Sequence, residues 1–394
     1  MKIAVWVTGA LVLAAVTGHG SAPVAADEPP ITIGLELGLS PPADPGLGQL
    51  CRRGAELGVE YVNGVMGGVL GRKIQISVQD TQAKNEAGIA AYRRLVTEEK
   101  AVAVTGFAYS SENIAVNEVA KELGVPTIGS QSGAADITAK HYEVAFRTHA
   151  IDPLRAETWL GWIKKMNYKK ISIIAVTTDY GIGLITETGN QNKAKNLGLE
   201  IQSLTYDQSV TDLTPQLLQV KAFKPDAIIN IGIGQMLDLM VDQAATIGLL
   251  PDTPMLISYD SPVRPQWWQI HPRNGGVYFI AYYSPQQKLS DIGAWYAKQY
   301  QEKFKDQPVY SDLNCFGDIA IIAQAIAQAK SADPKAIATT LETGRFTGWA
   351  AGEVTFPRAD GVFWHNWSPP MLILHYTKPN QDWREAEVAY QQAK

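Results

Sequence analysis

Short runs of β-branched and aliphatic residues alternate along this chain with stretches whose apolar positions recur at the spacing of a helix face. Continuous apolar runs suit strands buried on both faces, and the 3.6-residue rhythm suits helices lying over them. The pattern predicts strands at 31–37, 74–80, 101–105 and 125–128, separated by helices around 50–63, 86–99 and 112–123. A second series has strands at 171–176, 201–206, 227–231 and 255–258, with helices near 154–166, 184–197, 213–223 and 236–247. Helices near 292–304 and 316–329 and a late strand at 371–376 complete the expectation. Gly64, Gly67, Gly68 and Gly71 close the first helix, Gly124 stops the third, and Asp152-Pro153 reads as a helix start with the aspartate as N-cap. The βαβα order implies an α/β fold with mainly parallel sheets covered on both faces. One core rarely grows beyond roughly 250 to 300 residues, so the two series read as two doubly wound lobes.

The halves share one layout. The run AVAVT at 101–105 enters GFAYSS at 106–111, and ISIIAV at 171–176 enters TTDYGIG at 177–183. In each, a strand ends in a turn bearing hydroxyls and an aromatic ring, and the turn opens a helix. Ligands of open α/β sheets sit outside the carboxyl ends of strands, where helix starts present unpaired N–H groups. Two such edges facing each other make a cleft.

Composition narrows the chemistry. Residues 1–26 have a positive start, an apolar stretch too short to span a bilayer and small residues before Asp27, which reads as a cleavable export signal for the periplasm. A net charge of −5 over 394 residues argues against a nucleic-acid partner. Cys51 and Cys315 would both reach an oxidising compartment, where they either form a disulfide or pack as two buried thiols. Catalytic patterns are thin. Gly232-Ile233-Gly234 has Leu237 where a nucleotide loop needs a third glycine, the histidines show no zinc spacing, and no Gly-x-Ser-x-Gly elbow occurs. No cofactor, metal site or catalytic residue is expected.

The order of short motifs is more specific than any one of them. ITIG at 31–34, GAEL at 54–57, VNG at 62–64, GGVLGRKI at 67–74, Asp80, the 106–111 turn, GVP at 124–126, FRT at 146–148, YGIG at 180–183 and KPD at 224–226 follow one another in a familiar spacing. The chain thereby resembles the periplasmic solute-binding proteins of the branched-chain amino acid (leucine/isoleucine/valine-binding) type. The resemblance implies a type I periplasmic-binding fold, a Venus flytrap with three crossovers forming its hinge. Lobe 1 would take 27–148 and 283–369, and lobe 2 would take 149–282 and 370–394, with a polar tail from Pro379 that is loose. It also implies a monomeric receptor, not an enzyme, that delivers a solute to an ABC permease and, through it, to ATPase subunits. A sensor for a signalling partner and an enzyme on a similar frame are the alternatives.

The resemblance also assigns roles. Ser110, with Ser111 beside it, matches the serine that holds the ligand carboxylate, the other reading being a plain N-cap. The second carboxylate loop falls at Ser132 and Gly133, where the family usually has threonine in place of the glycine. Tyr180 matches the tyrosine that closes over the polar head, and Asp260 the acid that pairs with an ammonium group. Arg264 stands four residues on and is placed to neutralise Asp260 internally. Tyr109, Phe107 and Tyr282 make the pocket aromatic, although Phe107 and Tyr282 read equally as core or hinge packing. The expected ligand is a small carboxylate-bearing solute: a branched-chain or aromatic amino acid, or a related aromatic acid.

Overall fold

A computed structural model describes residues 28–264, 267–271 and 277–391, so the export-signal segment lies outside the described residues. The first lobe begins β1 (Ile31–Leu37), α1 (Pro45–Glu60), β2 (Ile74–Asp80), α2 (Asn85–Thr97), β3 (Val104–Thr105), α3 (Ser110–Leu123), β4 (Thr127–Gly129), α4 (Asp136–Ala139) and β5 (Ala145–Arg147). The chain then forms α5 (Asp152–Lys165), β6 (Lys170–Val176), α6 (Asp179–Ala194), β7 (Glu200–Tyr206), α7 (Thr214–Phe223), β8 (Ala227–Ile231), α8 (Gly234–Thr246), β9 (Met255–Ile257), α9 (Trp267–Ile270) and β10 (Val277–Ala281). Next come α10 (Asp291–Phe304), α11 (Tyr310–Ala329), α12 (Pro334–Thr343), the small hairpin β11 (Phe346–Thr347) and β12 (Glu353–Val354), then β13 (Leu372–His375) and β14 (Glu387–Gln391).

The strands form two main sheets, ordered β2-β1-β3-β4-β5 and β14-β13-β10-β9-β8-β6-β7. The first is wholly parallel. In the second, β7-β6-β8-β9-β10 is parallel and repeats the order of the first, while β13 and β14 add antiparallel strands at one side. Both sheets therefore reverse direction of winding beside their first strand, at β1/β3 and β6/β8. That is where an open α/β sheet leaves a crevice at its strand ends. The mixed α/β class with parallel sheets is the one the apolar runs imply. The chain passes between sheets three times, leaving β5 for β6, leaving β10 for α11, and returning to β13.

Individual residues explain the turns. All seven residues of β1 (ITIGLEL) are buried, as an inner parallel strand requires. Gly106 has φ +97°, and a Cβ there would lie 2.6 Å from the Glu36 carbonyl oxygen, so only glycine carries the chain from β3 past β1 into α3. Gly124 ends α3 in the left-handed conformation. The Asp44 side chain caps α1 by accepting from the N–H groups of Gly46 and Leu47. Helix α11 is buried along most of its length and packs against α1, to which it is tied by a disulfide between Cys51 and Cys315 with Cα atoms 5.2 Å apart. The bond, rather than a pair of free thiols, is thus the state of the two cysteines.

Three expectations change. The run at 101–105 contributes only two residues to the sheet. Asp152 is inside α5 and Ile151 is the N-cap, without a side-chain capping bond. The polar tail is not loose up to Gln391, because β14 pairs with β13 and the tail ends as a sheet strand.

Candidate functional site

Helices α3 and α6 begin on opposite sides of a gap between the sheets. Their first turns share a cavity of about 130 Å³ lined by Ser110, Ser111, Thr178, Tyr180, Gln208 and Tyr259, among others. A smaller cavity of about 30 Å³ adjoins it, with Leu47, Leu237, Asp260 and Arg264 in its wall. Tyr109, Ile233 and Tyr259 line both. Each edge is built by a strand-to-helix turn: β3 into α3, β6 into α6, and β8 through Gly232 into α8.

The first-lobe edge is tied together by hydrogen bonds. Tyr109, not Ser110, is the N-cap of α3. The Ser110 hydroxyl accepts the N–H of Ala134 at 3.2 Å, which pins the helix start to the loop after β4, and the plain-cap reading of this serine is replaced. The Tyr109 hydroxyl accepts the Asp44 N–H at 2.7 Å, and burial holds its phenol well above the ordinary range. Below the edge, Asp318 of α11 accepts from the hydroxyls of Thr105, Ser130 and Thr148, tying the carboxyl ends of three strands to one helix.

On the other side, Tyr180 bonds the Ser258 hydroxyl at 2.7 Å and accepts from Arg155 at 3.1 Å. Arg155 is wholly buried and also donates to the Ser258 carbonyl at 2.6 Å. Its guanidinium carbon lies 4.9 Å from the Tyr180 ring and 4.7 Å from the Tyr259 ring, and Asp152 stands 3.4 Å from its Nη1. Burial lifts the Asp152 carboxyl to about 6 against the pull of Arg155 and Arg147. Burial also lifts Asp260 to about 6, partly offset by the charge of Arg264. The Arg264 guanidinium itself pairs with Asp44 across the gap at 2.7 Å, not with Asp260 as its sequence spacing suggests. A second polar bridge crosses the gap where the Tyr259 hydroxyl donates to the Gln131 carbonyl at 2.9 Å.

Five of the nine residues named from sequence meet at the cavities: Tyr109, Ser110, Ser111, Tyr180 and Asp260. The other four do not line them. Phe107 is 1% exposed and packs with Tyr92, Leu95 and Val116 in the first-lobe core. Tyr282 is buried against His149 and Tyr310 where the chain leaves β10, so it is hinge-side packing. Ser132 turns inward and donates to Asn113 at 2.9 Å. Gly133 accepts the Asp152 N–H at 2.9 Å, and a Cβ there would sit 2.6 Å from Asp152 Oδ1 and 3.0 Å from Arg155 Nη1. A threonine cannot occupy that position while the Asp152–Arg155 pair is in place.

Arg155, Tyr259 and Asp44 escaped the sequence reading. The three-residue spacing of Asp152 and Arg155 on one helix was the available signal for the first. Gly232-Ile233-Gly234, a failed nucleotide loop, is instead the turn that brings Ile233 to both cavities. Among the described residues no group of three His, Cys, Asp or Glu is placed to hold a metal.

Two α/β units with matching strand orders, their crevices facing across a closed gap, define the two-lobed type I binding-protein architecture. Residues 30–369 match the sequence model of the family described as periplasmic binding protein, and the chain belongs to that family. It is 26% identical over 214 residues to the Leu/Ile/Val-binding protein homolog 8 of Brucella abortus, covering 52% of either chain. An amino acid binding protein of Pseudomonas aeruginosa is 26% identical over 216 residues, 53% of this chain and 57% of that one. The chain thus spans about half the length of the curated relatives it matches. Among solved structures, the isoleucine complex of LivJ from Streptococcus pneumoniae superposes with TM-score 0.77 at 23% identity, covering 91% of this chain and 99% of that one. A solute-binding protein of an ABC transporter from R. palustris in complex with benzoate gives 0.78 at 18% identity, covering 92% and 97%. These likenesses establish the fold.

Proposed function

We propose that the protein is the periplasmic solute receptor of an ABC importer, exported by its N-terminal signal, which captures a small carboxylate-bearing solute between its lobes and hands it unchanged to a permease. The lobes in this reading are 27–148 with 283–369 and 149–282 with 370–394, hinged at the three crossovers. The observation that carries the reading is the closed gap shared by the starts of α3 and α6, with hydroxyls at one end and an acid at the other. Helix-start N–H groups with Ser110 and Ser111 suit a carboxylate. Asp260 suits an ammonium group, because its nearby cation, Arg264, is engaged by Asp44. An enclosed acid whose charge is only partly countered carries a desolvation cost, which a cationic ligand group relieves. An amino acid with an apolar or aromatic side chain meets both ends, and an aromatic acid meets one. The fold neighbours that hold isoleucine and benzoate are consistent with either class.

The lobe-1 edge is preformed, so the ligand docks there first and closure adds Tyr180 and Asp260. Micromolar binding needs about −8 kcal/mol, which two to four charge-assisted hydrogen bonds of about 1.5 to 3 kcal/mol each supply after closure costs. Calorimetric titration of leucine, phenylalanine and benzoate tests the reading. Ser110→Ala is expected to weaken every carboxylate several-fold, and Asp260→Asn to weaken only the amino acids. Unchanged affinity in Ser110→Ala would remove the α3 edge from the site, and equal tolerance of both ligand classes by Asp260→Asn would remove the ammonium.

A further inference from the structure

Tyr259 occupies a position that neither its neighbours in sequence nor the paired helix starts announce. It follows β9 and projects from the second lobe into the gap, where its hydroxyl reaches the Gln131 carbonyl of the first lobe at 2.9 Å. The acceptor is fixed in place: the Gln131 N–H donates to the Phe107 carbonyl at 3.0 Å, and its side chain donates to the Ser311 carbonyl at 3.3 Å. The ring is backed from within the protein by the Arg155 guanidinium at 4.7 Å and lies 5.7 Å from the Tyr180 ring. A cation over an aromatic face and a hydroxyl bonded at the far end together hold the ring in one place.

With Ala108, Tyr109 and Ile233, the ring stands between the two cavities of the cleft. Ser110, Ser111 and Tyr180 lie on the cavity of about 130 Å³, Asp260 and Leu237 on the cavity of about 30 Å³, and Tyr259 is in the wall of both. Drug-sized ligand pockets usually run to roughly 300 Å³ or more, so the space beside this ring admits only a compact side chain, the roomier cavity of about 670 Å³ at Ser111 and Thr178 lying away from it. Resting on the cleft reading above, we propose that Tyr259 is the specificity-determining residue of the site: its ring sets the size of the accepted side chain, and its hydroxyl bridge to Gln131 closes the lobes behind any ligand that fits.

The two roles separate by substitution. Tyr259→Phe keeps the ring and removes the bridge, so it is expected to weaken valine, leucine, phenylalanine and tryptophan alike, by about three- to ten-fold. Tyr259→Ala joins the two chambers, so the affinity ratio of tryptophan to valine is expected to rise at least about ten-fold over the unsubstituted protein. Tyr259→Leu, which keeps apolar volume at the position, gives the same reading with a smaller rise should the alanine protein unfold. Calorimetric titration of the four amino acids against the full exported chain measures all of these. If a ligand depends on Ser110 yet the tryptophan-to-valine affinity ratio in Tyr259→Ala and in Tyr259→Leu stays that of the unsubstituted protein, the assignment of Tyr259 is overturned while the cleft stands. If neither the four amino acids nor benzoate binds, or binding ignores Ser110→Ala, the cleft reading falls and this one with it.

Discussion

Replacing Arg264 by glutamine removes the cross-lobe ion pair together with the partial counter-charge that Arg264 gives Asp260. Arg264 Nη2 lies 2.7 Å from Asp44 Oδ2, with the two side chains 19% and 14% exposed. Asp44 is a poor target, because its other oxygen caps α1 and its loss would cost about 1 kcal/mol of helix stability besides. Arg264 caps no helix, although its charge partly offsets that of Asp260 in the small cavity. When the lobes part, both charges return to water, so the pair counts only toward the closed state. A charge-assisted hydrogen bond contributes about 1.5 to 3 kcal/mol before desolvation, and partial burial removes some of that. About 1.5 to 2 kcal/mol remains, equivalent to a loss of about 10- to 30-fold in apparent affinity. For a solute without an amine, such as benzoate, the loss falls on closure alone; an amino acid loses less, because Asp260 without its partial counter-charge attracts an ammonium more strongly. The effect also survives high salt better than that of an exposed pair would. Titration calorimetry of Arg264→Gln with two unlike ligands, at low and high salt, reads it directly. A change below about three-fold in the affinity of a ligand that carries no amine refutes the closure argument.

Other outcomes follow from the buried groups. Burial and the charge of Glu112 hold the Glu36 carboxyl well above its usual value, and burial raises Glu112 from 4.5 to about 7. A carboxyl raised in the folded state binds its proton more tightly there. Its contribution is therefore present below the unfolded value of 4.5 and lost as pH rises toward 7, at about 1.4 kcal/mol per tenfold change in proton affinity, or about 3 kcal/mol in all. Thermal unfolding between about pH 5 and about pH 8 should show that decline, and Glu36→Gln with Glu112→Gln should flatten it; an unchanged slope would acquit the pair. The Cys51–Cys315 bond closes a span of 264 residues, so Cys51→Ala with Cys315→Ala should lower stability by roughly 4 to 5 kcal/mol in urea unfolding. Coincident curves for the bonded and double-alanine proteins would show that the α1–α11 packing alone suffices.

The parts of the fold that were legible are those where one physical rule dominates. Strands 31–37 and 227–231 match β1 and β8 residue for residue, because an inner parallel strand is a continuous apolar run with polar punctuation, and 74–80 matches β2, an edge strand in which Ile74, Ile76 and Val78 alternate with polar residues. Short strands fared worse: the apolar residues at 101–103 are spent on approach to the sheet, and only Val104 and Thr105 pair within it. β14 (EVAYQ) offers little apolar signal and is a strand because β13 accepts it as an edge partner. Asp152 shows tertiary context overriding a local preference, since its carboxylate faces Arg155 rather than the N–H groups of its own helix. The same limit hid the cleft's interior. A helix-spaced Asp and Arg normally denote a solvated ion pair, and nothing local says that this pair is enclosed beneath two tyrosines. Gly133 is the one departure whose cause becomes plain only in three dimensions: the missing side chain is the space the Asp152–Arg155 pair requires.

The polar contacts across the gap give closure a source that is not the ligand. Asp44 caps α1, donates its N–H to the hydroxyl of the cleft residue Tyr109, and binds Arg264 of the opposite lobe. Tyr259 makes the corresponding reach in the other direction, to Gln131. Neither bridge requires a solute. The affinity of such a receptor is its intrinsic closed-state affinity reduced by the fraction of time it is open, so these two bridges raise affinity for every ligand at once. In the proposed reading, discrimination then comes from the groups assigned to the solute: Ser110 and the α3 start for its acid, Asp260 for an amine, and the Tyr259 ring for its bulk. Affinity and selectivity are in this way carried by different atoms. Tyr259 is where they meet, its hydroxyl serving the first and its ring the second, which is why its phenylalanine and alanine variants should separate them.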